Sequence, residues 1–179
     1  MQKKKSVKMN EEMPHFSQKT GPYKDIPYHS NTIGTDGCGP VAFAMAASWL
    51  LGRTIEPPEV TAWIGRRFAG RGGKGTRPDF FPFACRHYGL KMQATNDTAR
   101  AVKAVSRGLP VIYYTPGTED GLFSVIPHYL VLAGMDEEGR IYIHNPNDRN
   151  DGKAFEPEII EKYKAKKLLN PAYIILAKK

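Results

Sequence analysis

Asp36-Gly37-Cys38-Gly39-Pro40-Val41-Ala42-Phe43-Ala44-Met45-Ala46-Ala47-Ser48-Trp49-Leu50-Leu51-Gly52 is the stretch on which the reading of this chain turns. Proline at the first turn and glycine at the end bracket a helix. Its residues are apolar almost all round, so it belongs in the middle of a core rather than at a surface. Cys38 stands at its head between two glycines, where the backbone can pass close to another group.

Outward from this helix the chain is uneven. Residues 1 to about 12 have no periodicity and read as a flexible basic segment, with residues 13–179 as one domain. Pro14 to Asp36 is rich in Pro, Gly, Asn, Ser and Tyr and reads as an ordered approach loop. Further helices are expected from Pro58 to about Phe68, from Pro78 to Tyr88 with Gly89 as the stop, from Asp97 to Gly108, and from Pro157 to about Lys166. Gly70-Arg71-Gly72-Gly73-Lys74-Gly75 lacks the Gly-Lys-Ser/Thr ending of a phosphate loop and reads as a flexible surface loop. After Pro110 the pattern becomes β-branched and aromatic: Val111 to Tyr114, His128 to Ala133, Arg140 to His144 and Ala172 to Leu176 read as strands. Asp136-Glu137-Glu138-Gly139 makes a hairpin of the middle pair. Helices first and an antiparallel sheet afterwards is the pattern of an α+β domain.

The 179 residues make up one domain-sized unit with 41% hydrophobic and 25% charged residues, which excludes a fibrous or wholly disordered chain. The net charge of +8 is concentrated in Lys3, Lys4, Lys5 and Lys8 and in the lysines from Lys162 onward, so it reads as a solvated surface rather than a nucleic-acid face. No stretch has the roughly 20 apolar residues of a membrane span. The start Met1-Gln2-Lys3-Lys4-Lys5 resembles the basic part of an export signal but no hydrophobic part follows. The chain therefore reads as cytoplasmic as written, or as secreted with its signal removed. No Cys-x-x-Cys or His-Glu-x-x-His is present, so neither a metal nor any other cofactor is expected. The sequence assigns no oligomeric state.

Cys85, among Phe80, Phe81 and Phe83, reads as an inert buried thiol. Cys38 differs, because a helix N-terminus favours the thiolate. A nucleophilic sulfur needs a base. Of the five histidines, His128 alone begins a strand, where a rigid element can aim its ring into a cleft. Pairing the two hairpin strands brings the residues near Asn145 opposite His128, so that Asn145 can hold the imidazole in one tautomer. Taken singly, a cysteine before a helix is more often structural, a strand histidine is more often a satisfied polar residue, and Asn-Pro is first a turn signal. In the order Cys, His, Asn they make a catalytic set.

Ile26-Pro27-Tyr28, Asn31-Thr32-Ile33, Gly37 to Met45, Gly108 to Ile112, Phe123-Ser124, His128 to Gly134 and Asn145-Pro146 resemble family thirty-nine of the cysteine peptidases. These are bacteriocin-processing peptidases and stand-alone C39-like relatives. The resemblance spans roughly residues 14 to 150. It implies a papain-like fold with Cys38 as nucleophile, His128 as general base and then acid, and Asn145 as the orienting group. It also implies that Gln18, in His15-Phe16-Ser17-Gln18, supplies the side-chain donor of an oxyanion hole. Two positions depart from the pattern: many relatives carry Gly before the histidine and Asp before the proline, whereas Pro127 and Asn145 stand here. The expected function is a thiol hydrolase acting on a peptide or protein through a thioester. The alternatives are an acyltransferase of the transglutaminase kind, using the same Cys-His-Asn site, or a non-catalytic peptide-binding module of the same fold.

Overall fold

The protein is described by a computed structural model over residues 9–166 and 170–179. Residues 1–8 of the basic head expected to be flexible lie outside the described residues, while Met9–Glu12 form a single helical turn, α1, against the sheet. The approach loop is ordered, as expected, and also holds short regular elements that its composition does not suggest. It contains a two-residue hairpin, β1 (Pro27–Tyr28) with β2 (Asn31–Thr32), and one helical turn, α2 (Ile33–Asp36), leading into α3 (Cys38–Leu51).

α3 is the helix expected from the sequence. Gly52 ends it in the left-handed region at φ 63°, its N–H bonded to the Ser48 carbonyl at 3.0 Å. Ser48 in turn bonds the Ala44 carbonyl at 2.7 Å and accepts the Ile55 N–H at 2.9 Å, which pins the chain that leaves the helix. From Val41 to Ala47 every side chain is fully buried. Burial of Phe43 or Met45 contributes on the order of 2 kcal/mol each, and the small side chains of Ala42, Ala44, Ala46 and Ala47 around them are fully buried too.

The second helix is shorter than the sequence suggests. α4 covers only Pro57–Thr61, and turns carry the chain onward because Gly65 takes φ 57° and stops helical propagation. A 3₁₀ turn at Arg71–Gly73 follows within the glycine run. α5 (Phe80–His87) and α6 (Thr98–Ser106) match their expected places, with Asp97 capping α6 by accepting the Ala99 and Arg100 N–H groups. Between them lies a strand that the sequence reading missed, β3 (Leu90–Thr95). It is an edge strand with one buried residue, so its alternation is weak.

β4 (Val111–Thr115), β5 (His128–Met135), β6 (Ile141–His144), the short β7 (Ala154–Phe155) and β8 (Tyr173–Lys178) complete an antiparallel sheet of order β3-β8-β4-β5-β6-β7. α7 (Pro157–Tyr163) precedes β8. Across β4 and β8, Tyr113 stacks on its partner Tyr173, and the two hydroxyls reach the Ile160 carbonyl in α7 and Thr98 in α6. On the opposite face Tyr129 packs on Phe81 of α5, beside α3. β5 is covered on both faces, and this is why it reads as an unbroken apolar run rather than an alternating one.

The hairpin register is offset from the expected one. His144 pairs with Val131 and a bulge lies between Leu132 and Gly134, so continuing the ladder sets Asn145 opposite Leu130 rather than His128. The two-residue offset keeps Asn145 on the same side of the sheet as His128, since side-chain direction repeats every second residue.

Candidate active site

Cys38 sits where α2 turns into α3, and the flanking glycines are needed there. A Cβ on Gly37 would lie 2.6 Å from the Ile33 carbonyl oxygen, and one on Gly39 would lie 3.0 Å from Cβ of Thr76. The second contact docks the end of the glycine run onto the head of the helix, and Thr76 is held there by the Tyr28 hydroxyl at 2.7 Å. Cys38 is half-buried and Cys85 is buried, and both are free thiols. Burial pushes the Cys38 thiol up from its ordinary value, against the backbone N–H groups of Tyr129, Gly39 and Cys38 itself, which favour the thiolate. The helix start thus acts in the expected direction and is outweighed by desolvation, so the expected depressed thiol is corrected here. Cys85, with no such donors, is pushed up to about 12 by burial.

His128 opens β5 and is buried, and the N–H of the next residue, Tyr129, points at the Cys38 sulfur. Nε2 of His128 lies 2.7 Å from Oδ1 of Asn145. Asn145 is wholly buried, and its Nδ2 donates to the Phe123 carbonyl at 3.1 Å and the Arg149 carbonyl at 2.8 Å. Both amide protons are thereby committed, which identifies Oδ1 as the atom facing the imidazole. An oxygen acceptor requires that Nε2 carry the hydrogen. Nδ1 is left as the basic nitrogen. Burial holds the imidazole down at about 4, opposed by the Asn145 bond and assisted by the nearby Lys19 ammonium. At neutral pH the site therefore combines an uncharged thiol with an uncharged imidazole.

Behind Asn145 is a set of side chains that the sequence reading passed over. Asp151 accepts the Asn145 N–H at 2.7 Å, and Nε2 of His15 lies 3.0 Å from the Asn145 carbonyl oxygen. His144 Nδ1 and His15 Nε2 approach the same Asp151 oxygen at 3.2 and 3.3 Å. Burial would raise Asp151, but the bonds from His144 and the Asn145 N–H and the proximity of His15 hold it below the usual carboxylate range. The backbone of Asn145 is thus gripped at both its N–H and its carbonyl.

Gln18 is also buried at the cleft, with its backbone N–H bonded to the Pro146 carbonyl at 2.7 Å. Its Nε2 faces the carbonyls of Gly34 and Ile33 at 3.1 and 3.4 Å, and its Oε1 is buried with no hydrogen-bond partner. Both donor hydrogens are directed at the α2 backbone, so the expected role at an oxyanion needs one of them, most cheaply the longer Ile33 contact, to be released.

Cys38, His128 and Gln18 line one cleft of about 520 Å³. Lys74 and Gly75 of the glycine run line it too, as do Val125, Ile126 and Arg149. The glycine run, by its composition a surface loop, is brought to the site by the docking of Thr76 against Gly39. That contact follows from Gly39 having no side chain, a signal legible only once the two segments are known to meet.

A model of the Peptidase C39 like family matches residues 10–170. Among solved structures, a protein described as a C39-like peptidase from Bacillus anthracis matches with a TM-score of 0.62 at 19% identity, covering 93% of this chain and 94% of that one. The peptidase domain of Streptococcus ComA, a bifunctional ABC transporter involved in quorum sensing, matches with a TM-score of 0.56 at 15% identity, over 79% of this chain and 91% of that one. The N-terminal peptidase C39 like domain of a toxin secretion ATP-binding protein from Vibrio parahaemolyticus gives 0.50 at 14% identity, over 76% and 93%. No curated protein matches the chain. These likenesses establish the papain-like α+β fold expected from the sequence.

Proposed function

We propose, since this chain belongs to the Peptidase C39 like family, that it is a thiol peptidase in which Cys38 attacks a peptide carbonyl, His128 carries the proton and Asn145 holds the imidazole. Family and fold support a cysteine peptidase in general terms. The observation that carries the finer reading is the 2.7 Å bond from His128 Nε2 to Asn145 Oδ1 beside Cys38, which leaves Nδ1 as the available base. The substrate is a peptide or protein.

Because thiol and imidazole are both uncharged at rest, attack and proton transfer go together. The Cys38 S–H proton passes to Nδ1 of His128 as the sulfur forms a bond to the carbonyl carbon, and the carbonyl π pair moves onto oxygen. The Cys38 N–H and an amide hydrogen of Gln18 are the donors for that oxygen. Collapse of the oxyanion breaks the C–N bond, and the Nδ1 proton goes to the departing amine, leaving a thioester on Cys38. Water then attacks the thioester, giving a proton to Nδ1. The C–S bond breaks and the proton returns to sulfur. Asn145 orients the imidazolium without neutralising it, so stabilisation of that charge is weaker than a carboxylate would provide.

A quenched-fluorescent peptide library and denatured casein are suitable first substrates. Turnover should vanish in Cys38→Ala and fall by about a thousandfold or more in His128→Ala. A peptide aldehyde should form a thiohemiacetal on Cys38, visible as an adduct by mass spectrometry. Turnover that survives Cys38→Ala would overturn the assignment.

A further inference from the structure

The cleft beside Cys38 is unbalanced in charge. Lys19, Lys74 and Arg149 line it, and the carboxylate that lines it with them is Asp36, which is buried and bonded by the Asn31 amide at 2.8 Å. The three cations are exposed, and among the described residues none is paired with a carboxylate. Lys19 Nζ and an Arg149 guanidinium nitrogen are held by backbone carbonyls, of Gly34 at 2.6 Å and Gly121 at 2.8 Å. Those bonds fix the cations in place without neutralising them. The three residues come from separate segments, namely the approach loop, the glycine run and the loop after β6, so their convergence is made by the fold and not by a run of basic sequence. The same cleft carries Val125 and Ile126 at 61% and 58% exposure, the large hydrophobics that the described residues leave in solvent. An exposed apolar pair on the wall of a cleft is a seat for an apolar side chain.

We infer that the cleft selects an anionic peptide, with an apolar side chain on Val125 and Ile126 and acidic side chains beside it facing Lys19, Lys74 and Arg149. The inference rests on the peptidase reading for the chemistry but not for the binding. A single exposed ion pair does little. Three like charges around a partly enclosed cleft focus the field, and they act on encounter and orientation together. The preference is therefore sensitive to salt, fading as the screening length falls from about 30 Å at 0.01 M to a few ångströms near 1 M.

Two measurements on the full chain test it. The first compares alkylation of Cys38 by anionic iodoacetate and neutral iodoacetamide, followed on the Cys38 peptide by mass spectrometry so that Cys85 does not contribute. Relative to free N-acetylcysteinamide, the iodoacetate/iodoacetamide rate ratio should be raised about tenfold at low ionic strength. It should fall toward one in high salt and in the Lys19→Glu/Lys74→Glu/Arg149→Glu variant. A ratio of one or less for the unmodified chain would overturn the charge assignment. The second measures binding, to Cys38→Ala, of peptides with one leucine flanked by glutamates or by lysines. The acidic peptide should bind at least about tenfold more tightly, and Val125→Ser/Ile126→Ser should weaken it several-fold. Equal binding of the two peptides, or no effect of the serine pair, would overturn the inference. Tight binding of the acidic peptide that is never cleaved by the unmodified chain would count against the hydrolase and leave the selectivity standing.

Discussion

Lowering the pH from 7 to 4 forces a proton onto a histidine that the fold keeps neutral. His128 is buried, and its imidazole is held at about 4 rather than at the ordinary 6.5, chiefly by that burial. Between these two values the unfolded chain binds the proton and the folded chain does not. Stability therefore rises with pH in this window, is complete above the unfolded value, and is lost as the pH falls from about 6.5 to about 4. At about 1.4 kcal/mol per pH unit the loss attributable to His128 is about 3 kcal/mol by pH 4, a large fraction of the stability of an ordinary domain. Urea unfolding of the intact chain and of His128→Gln, measured at half-unit steps from pH 7.5 to 4, isolates this contribution, because carboxylates such as Asp151 titrate in both. The difference between the two curves should change by about 3 kcal/mol, most of it between pH 6.5 and 4.5. Parallel curves would refute the claim that His128 is buried in its neutral form.

Other changes read different parts of the same site. Asn145→Asp removes the amide donors from the Phe123 and Arg149 carbonyls and buries a carboxylate; melting should show a loss of about 2–4 kcal/mol, and NMR titration a rise of the His128 pKa above about 4 as the new charge favours imidazolium. Gly37→Ala places a Cβ 2.6 Å from a backbone oxygen that cannot turn aside, so it should cost about 2 kcal/mol or more in urea unfolding; Gly39→Ala meets the Thr76 side chain at 3.0 Å and should cost less, while slowing Cys38 alkylation as the glycine run shifts. Asp151→Ala frees the Asn145 N–H, and kcat should fall about tenfold or more with KM little changed, whereas Asp151→Asn, which keeps an acceptor, should retain most of the activity.

What could be read from the sequence was whatever depends on local pattern. The helix from Cys38 to Leu51, the strand beginning at His128 and the hairpin after it all declare themselves in residues close together in the chain. β3 did not, because an edge strand with one buried position has little alternation to display. The helix expected to reach Phe68 stopped at Thr61, since a single glycine in the left-handed region outweighs the helical spacing around it. The direction of the Cys38 shift was also illegible. The donors at a helix start can be foreseen, but the desolvation that outweighs them depends on what the whole fold stacks above the sulfur. His15 and Lys74 reach the site from the approach loop and the glycine run, and no spacing rule links either to the strand pair.

The departure at Asn145 becomes intelligible from these distant contacts. Many relatives in the resembled family have Asp before the proline, and a carboxylate would stabilise imidazolium better than an amide does. Here, however, the group that accepts from His128 also donates, because the carbonyls of Phe123 and Arg149 both turn toward it. A carboxylate can only accept: it would strip the Arg149 carbonyl of this donor and leave the Phe123 carbonyl to the Asn147 amide alone, at 3.0 Å. Phe123 is fixed in turn by aromatic contacts with Tyr113, Phe155 and Tyr163, which seat this segment beside the Asn145 amide. The residue that accepts from His128 therefore also joins the loop before β5 to the loop after β6. Its amide is the one side chain of that size able to do both, and the weaker charge stabilisation is the consequence of that double duty.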